Sequence, residues 1–186
     1  AKETSRAQHG LKRILTILKV LVQQIDVLET MTPLEFLSFR NRLESGSGFQ
    51  SRQFRELEFV LGVKRRSAVD HYPAGGSDRR ALETRFQQPT IWDAFLYYLS
   101  SSAFPVPREL LQRDVTQLVT PSHELQLVLI RIYRENSAIA ELCERLVDLD
   151  EGFMEWRYRH VRMVQRTIGT KRGTGGSSGA EYLATT

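Results

Sequence analysis

The chain has 186 residues, 41% of them hydrophobic, which suffices for one domain with a core of its own. No apolar run approaches the roughly 18 residues of a membrane-spanning helix, and residues 1–10 lack the apolar stretch of a secretory signal. The net charge of +4 is distributed among mixed charges, and the densest basic cluster, residues 64–66, is more typical of a solvated loop than of a nucleic-acid surface. We therefore expect no membrane span and no nucleic-acid partner.

Cysteine usage bounds the compartment and the kinds of metal site. The single cysteine, Cys143, cannot form an internal disulfide or a cysteine-rich zinc site, so we expect a reducing compartment and a cytoplasmic location. A lone thiolate can ligate a metal, but a buried structural thiol is the commoner role for such a residue.

The first third of the chain is predicted to form three helices. Apolar residues at helical spacing mark one face of a long first helix. They are Leu11, Ile14, Leu15, Leu18, Leu21, Val22, Ile25 and Leu28.

A second helix is predicted to begin near Pro33, capped by Thr32 and Glu35, and to continue until residues 45–48. Its predicted apolar positions are Phe36, Phe39 and Leu43. A third helix is predicted over 51–61, ended by Gly62, with Phe54, Leu57 and Leu61 facing inward.

The middle of the chain alternates turn signals with short apolar patterns. Residues 63–77 are polar, basic and turn-rich, so we expect a mobile loop there. Short helices are predicted over 78–86 and from residue 90 onwards, until prolines 105 and 107 redirect the chain. A longer helix is predicted from Thr120 and Pro121 towards Leu146.

The last strong helix is predicted over 150–168, with Gly169 ending it and a glycine-rich loop at 173–179. No β-rich pattern occurs. We therefore predict an all-α fold: a single domain, residues 1–186, built as a bundle of long antiparallel helices.

His160 is the titratable residue with the most distinctive setting. It shares one helical face with Phe153, Trp156 and Val164. A neutral imidazole on an apolar face suits an iron ligand, yet on periodicity alone a core histidine with ordinary partners is the commoner outcome. His9, His71 and His123 form no HxxxH or ExxH pair, so a zinc or di-iron site has little support.

Arg40 follows the aromatic positions of the second helix. A guanidinium beside aromatic rings suits a planar carboxylate, and Phe36 and Phe39 suit the wall of a flat pocket. A surface arginine and ordinary core aromatics are the alternatives on pattern alone.

The glycines at 173–179 permit a close backbone approach to a ligand, and Thr174 offers a hydroxyl. A phosphate loop is disfavoured, because no Lys-Ser/Thr pair follows and the segment comes after a helix.

Three stretches of the chain have distinctive sequences: residues 28–33 leading to Phe39-Arg40, the string SGFQS at 47–51 with 52–55, and residues 156–161 leading to GTGGSSG at 173–179 and on to Leu183. In this order they resemble the signatures of the tryptophan 2,3-dioxygenase family. The resemblance covers essentially the whole chain, more loosely over about 63–125. It implies an all-helical haem enzyme, in a form similar to the shorter bacterial members.

The resemblance also implies residue roles. His160 falls on the proximal iron ligand of haem b, and Trp156 lies beside it in the haem pocket. Arg40 falls on the residue that pairs with the substrate carboxylate, Thr174 on a contact to the amino-acid end, and Phe36 on a wall of the indole pocket. Ser47 and Gly48 fall near the distal face of the haem.

The implied reaction is the insertion of O2 across the indole C2–C3 bond of L-tryptophan, which gives N-formyl-L-kynurenine and opens tryptophan catabolism by the kynurenine pathway. The implied assembly is a homotetramer. Relatives carry an N-terminal region that supplies a distal histidine, which nothing in this chain matches, so no catalytic residue is assigned and we expect an incomplete domain. The alternatives are a related haem oxygenase acting on a modified tryptophan or another indole, and a non-catalytic helical module.

Overall fold

The computed structural model describes residues 2–43, 51–173, 179–180 and 183. Within these ranges all regular secondary structure is helical, which confirms the all-α class. The helices in chain order are α1 Lys2–Glu29, α2 Pro33–Arg40, α3 Arg52–Leu61, α4 Arg66–Asp70, α5 Ser77–Phe86, α6 Ile91–Ser101, α7 Arg108–Leu111, α8 His123–Glu135 and α9 Ser137–Ile168. None of these helices is long and apolar enough to cross a membrane.

The chain divides into two compact units. The first comprises Ala1–Gln50 with Glu135–Thr186, and therefore contains α1, α2 and α9. The second comprises Ser51–Arg134 and contains the shorter helices. The expectation of a single domain over 1–186 stays a prediction.

In the first unit α1 packs along α9, and the two helices run parallel. The side chain of Gln8 donates to the carbonyl oxygen of Ala138, Leu18 lies against Gly152, and Arg159 pairs with Asp26. The partner numbers rise together, so the antiparallel arrangement expected from the sequence does not hold for this pair. The physical reason is topological, because α1 and α9 are joined through the whole second unit instead of a short turn.

The contact of α1 with α9 uses a narrow stripe of the predicted apolar face. Leu11, Leu18 and Ile25 are buried at intervals of seven, as in the seam of a coiled coil. Ile14, Leu21 and Leu28 are instead exposed by 45%, 45% and 46%. The predicted face is therefore correct as a helical pattern but broader than the surface that this chain covers.

α2 begins as predicted and ends earlier than predicted. The backbone N–H of Thr32 donates to Glu35 Oε2 at 2.7 Å, and the backbone N–H of Glu35 donates to Thr32 Oγ1 at 3.3 Å, which is a complete capping box. The helix stops at Arg40 with Asn41 as its C-cap, so Leu43 lies beyond it and is exposed.

The inward face of α3 differs from the prediction. Leu57 is 44% exposed, whereas Phe59 is buried together with the ion pair between Arg55 and Glu58, whose Nη1–Oε2 distance is 2.5 Å. Arg65 Nη2 reaches the other oxygen of Glu58 at 3.1 Å. Burial of the charged residues is possible because each finds a partner of opposite charge, which an apolar pattern cannot register.

The segment predicted as a mobile loop, 63–77, contains a helix that packs in the core. Ala68 and Val69 of α4 are buried with Phe59, Leu82 and Phe86. The prediction that residues 64–66 form a solvated basic cluster is also wrong in part. Lys64 is buried, and its Nζ donates to the carbonyl oxygen of Phe86 at 2.7 Å. Mobility of the remaining turn residues stays a prediction.

The boundary between the last two helices lies earlier than predicted. α8 begins at His123, where Ser122 Oγ accepts from the N–H of Leu125, and it ends at Glu135 instead of near 146. Asn136 then caps α9, because its side-chain oxygen accepts from the N–H of Ile139 at 3.1 Å. A single 32-residue helix therefore replaces the predicted start at 150, and Gly169 ends it as predicted.

Candidate functional site

An aromatic stack runs along the C-terminal half of α9 and ends on His160. The rings of Trp156 and His160 have centroids 5.3 Å apart and planes 3° apart. Phe153 continues the stack one turn earlier, with a centroid distance of 6.0 Å to Trp156. The spacing of three and four residues produces this alignment, because such residues lie above one another on a helix. The stacked indole covers one face of the imidazole. It does not cover the edge of the ring, where the two nitrogens lie.

The half-buried setting of His160 favours the neutral imidazole. Burial lowers the pKa of His160, and the nearby positive charge of Arg157 lowers it further. Neither ring nitrogen has a hydrogen-bond partner among the described residues. A neutral imidazole with an available nitrogen is the form that ligates iron.

Other metal chemistry finds less support in the same ranges. No group of three or more His, Cys, Asp or Glu side chains comes together as a metal-ligand set in the described part of the chain. Cys143 is buried, and burial raises the pKa of its thiol to about 11, so it is protonated at neutral pH. This agrees with the structural thiol, and not with a thiolate ligand.

Arg40 is the last residue of α2, and it is hydrogen-bonded to the segment after α9. Its Nη2 donates a hydrogen bond to the backbone carbonyl oxygen of Arg172. Its Nε–H is buried and has no hydrogen-bond partner among the described residues. A buried guanidinium donor without a partner is costly, so the group is suited to a further acceptor such as a carboxylate.

Phe36 and Phe39 form an aromatic pair on α2. Their rings meet edge to face, with centroids 5.4 Å apart and planes at 80°, and both side chains are half-buried. α2 packs against α9, so the helix that carries Phe36 and Arg40 adjoins the helix that carries His160.

Three of the predicted site residues lie outside the described residues. They are Ser47, Gly48 and Thr174. Arg172 is two residues before Thr174, so the hydrogen bond from Arg40 reaches the residue that directly precedes the glycine-rich loop.

Comparison with known proteins decides the lineage. The model of the family described as tryptophan 2,3-dioxygenase matches residues 1–90 and 100–186. The chain belongs to this family.

Individual family members are similar over nearly the whole chain. Tryptophan 2,3-dioxygenase of Herpetosiphon aurantiacus is 59% identical over 186 residues, which is 100% of this chain and 71% of that protein. The enzyme of that name from Anaeromyxobacter sp. strain K is 50% identical over 99% of this chain and 69% of its own length. The one from Arthrobacter sp. strain FB24 is 44% identical over 95% of this chain and 63% of its own length.

Two polar contacts near the candidate site escape sequence reasoning. One is the backbone carbonyl oxygen of Arg172, which leaves no signal because every residue has one. The other is the pairing of Arg159 with Asp26 and Glu29. Its signal is indirect: the last turn of α1 is acidic and has no basic residue of its own, so a cation from elsewhere is favoured there.

Proposed function

We propose that the chain is a haem-dependent dioxygenase that inserts O2 across the indole C2–C3 bond of L-tryptophan and gives N-formyl-L-kynurenine. Family membership and the names of the relatives support the reaction class. The observation that carries the proposal is His160: a half-buried imidazole, kept neutral and stacked on Trp156. In this role the reaction is the first step of tryptophan catabolism by the kynurenine pathway.

The residues present fit a haem b group. His160 would ligate the iron on the proximal side, since its pKa is lowered and its ring edge has no hydrogen bond to the described residues. Trp156 would fix the plane of the imidazole and contribute an apolar wall. Ser47 and Gly48 are proposed to lie near the distal face on the strength of the family resemblance.

The chemistry that haem supplies when bound is the activation of O2 for addition to the indole ring. The residues of the chain bind, orient and exclude water. Trp156 covers one face of the His160 ring, and Phe153 extends this apolar surface one turn further along α9, which would restrict water around the ligand. Burial and the charge of Arg157 disfavour protonation of His160. An imidazole nitrogen therefore keeps its electron pair available to ligate a metal at neutral pH.

Arg40 is proposed to bind the carboxylate of L-tryptophan. The hydrogen bond to Arg172 holds one side of the guanidinium, and the buried Nε–H supplies a donor for the substrate. Phe36, in its edge-to-face contact with Phe39, is proposed to line the indole pocket. Thr174 is proposed to contact the amino-acid end of the substrate, two residues after Arg172. Together these groups would set the position of the indole ring relative to the haem.

The homotetramer is proposed on the resemblance alone. The cytoplasmic location is proposed on the resemblance and on the single cysteine.

Haem titration of the protein tests the proposal. We expect one haem per chain, a histidine-type absorption spectrum in the reduced state, and a spectral change on addition of L-tryptophan. Absence of haem binding, or a haem spectrum that L-tryptophan does not perturb at millimolar concentration, would contradict it.

A further inference from the structure

The C-terminal turn of α1 concentrates negative charge where a helix tolerates it least. Asp26 and Glu29 lie there, one turn apart, and the last turn has no basic residue. The unpaired carbonyl groups at a helix C-terminus already carry partial negative charge, so two carboxylates add repulsion. A cation from another helix is therefore favoured at this place.

Arg159 of α9 provides that cation. Its Nη2 lies 2.5 Å from Oδ1 of Asp26 and 2.7 Å from Oε2 of Glu29. The side chains of Arg159 and Glu29 are 25% and 29% exposed, so this pair is partly shielded from solvent, whereas Asp26 is 58% exposed. The two hydrogen bonds raise the pKa of Arg159, which is consistent with a guanidinium held between two carboxylates.

The contact fixes both the register and the rotation of α9 against α1. Gly152 and Arg159 are seven residues apart on one face of α9, and each contacts α1: Gly152 meets Leu18, and Arg159 meets Asp26. Contacts at two points, two turns apart, oppose both sliding and turning of α9 along α1. His160 directly follows Arg159, about 100° further around the helix, so the direction of its imidazole depends on this register.

The same contact reaches the helix that carries Arg40. Glu29 is the last residue of α1, and only residues 30–32 separate it from α2. That link is short and well bonded: the hydroxyl of Thr30 donates to the carbonyl oxygen of Val27 at 2.7 Å, and Thr32 closes the capping box of α2. Arg159, the residue directly before His160, therefore ties this part of α9 to the end of α1, just before α2.

We propose that Arg159 is a positioning residue that sets the orientation of His160 relative to the helix bearing Phe36 and Arg40. This inference rests on the proposed function. Arg159 acts through its two carboxylate partners and contacts no reacting group.

The test compares variants of the holoenzyme. Arg159→Met retains much of the length of the side chain and removes its charge, and Glu29→Gln is a milder change on the opposite helix. Arg162→Met is the matched control, because Arg162 lies three residues further along α9. Its contacts, with Gln165 and Tyr158, are local to that helix.

The measurements are the iron–histidine stretching band in the ferrous state, and kcat and KM for L-tryptophan. Hydrogen exchange of residues 156–164 in the haem-free chain adds a readout that needs no cofactor.

We expect Arg159→Met to shift or broaden the iron–histidine band, to accelerate exchange at 156–164, and to lower kcat/KM about tenfold. Glu29→Gln should move the band in the same direction by less, and Arg162→Met should leave it in place. The charge-swapped pair Arg159→Glu with Glu29→Arg should restore part of the original band.

An unchanged band and kcat/KM in Arg159→Met would overturn the inference, as would a loss of stability alone with the band in place. If Arg159→Met fails to fold, the band positions of Glu29→Gln and of the charge swap decide in its place, and an unchanged band in Glu29→Gln overturns the inference. Failure of the unaltered chain to bind haem is a different result, because it overturns the proposed function and this inference with it.

Discussion

Trp156 and His160 stack on successive turns of α9 with their ring planes only 3° apart. The indole therefore sets the plane of the imidazole, while burial and Arg157 lower the pKa of the histidine. Orientation and protonation state are both arranged before any ligand arrives, which is the condition for a preorganised metal ligand.

The first prediction concerns His160 itself. His160→Ala should abolish the histidine-type spectrum of the reduced haem complex, because it removes the proposed iron ligand. Absorption and resonance Raman spectra of the reconstituted protein provide the measurement. His123→Ala is the control, since His123 is exposed in the first turn of α8. A normal iron–histidine band in His160→Ala would exclude the assignment.

The second prediction concerns Arg40. Loss of a buried charge pair with the substrate carboxylate costs about 2–4 kcal/mol, so Arg40→Ala should weaken L-tryptophan binding by about 30- to 900-fold. The haem spectrum without substrate should stay unchanged. Arg42→Ala, two residues on and exposed, should bind tryptophan normally. Equal tryptophan affinities for the two variants would remove Arg40 from the substrate site.

The third prediction concerns the contact between Leu18 of α1 and Gly152 of α9. A Cβ at Gly152 would lie 2.8 Å from Leu18 Cδ2, whereas a Cβ at Gly10 would meet nothing within 4 Å. Gly10→Ala should therefore stabilise the chain by about 0.5–1 kcal/mol from helix propensity, and Gly152→Ala should gain little or lose stability. In the background of Leu18→Ala, Gly152→Ala should become stabilising. Additive effects of the two substitutions in chemical unfolding would show that the helices do not meet there.

The fourth prediction is a pH dependence in the second unit. Burial alone would raise the pKa of Asp93, but hydrogen bonds from Arg113 and Thr90 outweigh it and hold the pKa below its ordinary value of 3.8. The unfolded chain therefore binds the proton more readily. The stability contributed by Asp93 is present above the unfolded pKa and is lost as the pH falls through the folded pKa.

Two variants separate this effect from general acid unfolding. The fall in protection of the α6 amides below the ordinary carboxyl pKa of 3.8 should become flatter in Asp93→Asn. Arg113→Met should cost about 3–5 kcal/mol at pH 7, because it leaves a buried carboxylate without its partner at 2.6 Å. Identical pH profiles for Asp93→Asn and the unaltered chain in hydrogen exchange would count against the role of this carboxylate.

Local rules predicted the elements whose causes are local. The cap at Thr32, the end of α3 at Gly62, the start of α6 at Thr90 and the stop at Gly169 follow from side chains within a few residues of each site. His160 and Trp156 also share a face as predicted, because a single helix fixes their relation.

The errors have tertiary causes. Glu58 is buried because Arg55 and Arg65 neutralise it, and Val69 is buried because Phe59 and Phe86 cover it. An apolar pattern read along the chain registers neither the neutralising charges nor the covering rings. The same holds for the site: Arg40 and Arg172 are 132 positions apart, so only the fold brings them into contact.

The measurement that tests the proposed reaction most directly is the mass of the product formed from L-tryptophan under ¹⁸O2. We predict N-formyl-L-kynurenine with two ¹⁸O atoms, formed by the haem-loaded protein and not by its His160→Ala variant. A product with one ¹⁸O atom, or no turnover by a haem-loaded, tryptophan-binding protein, would contradict the proposed reaction.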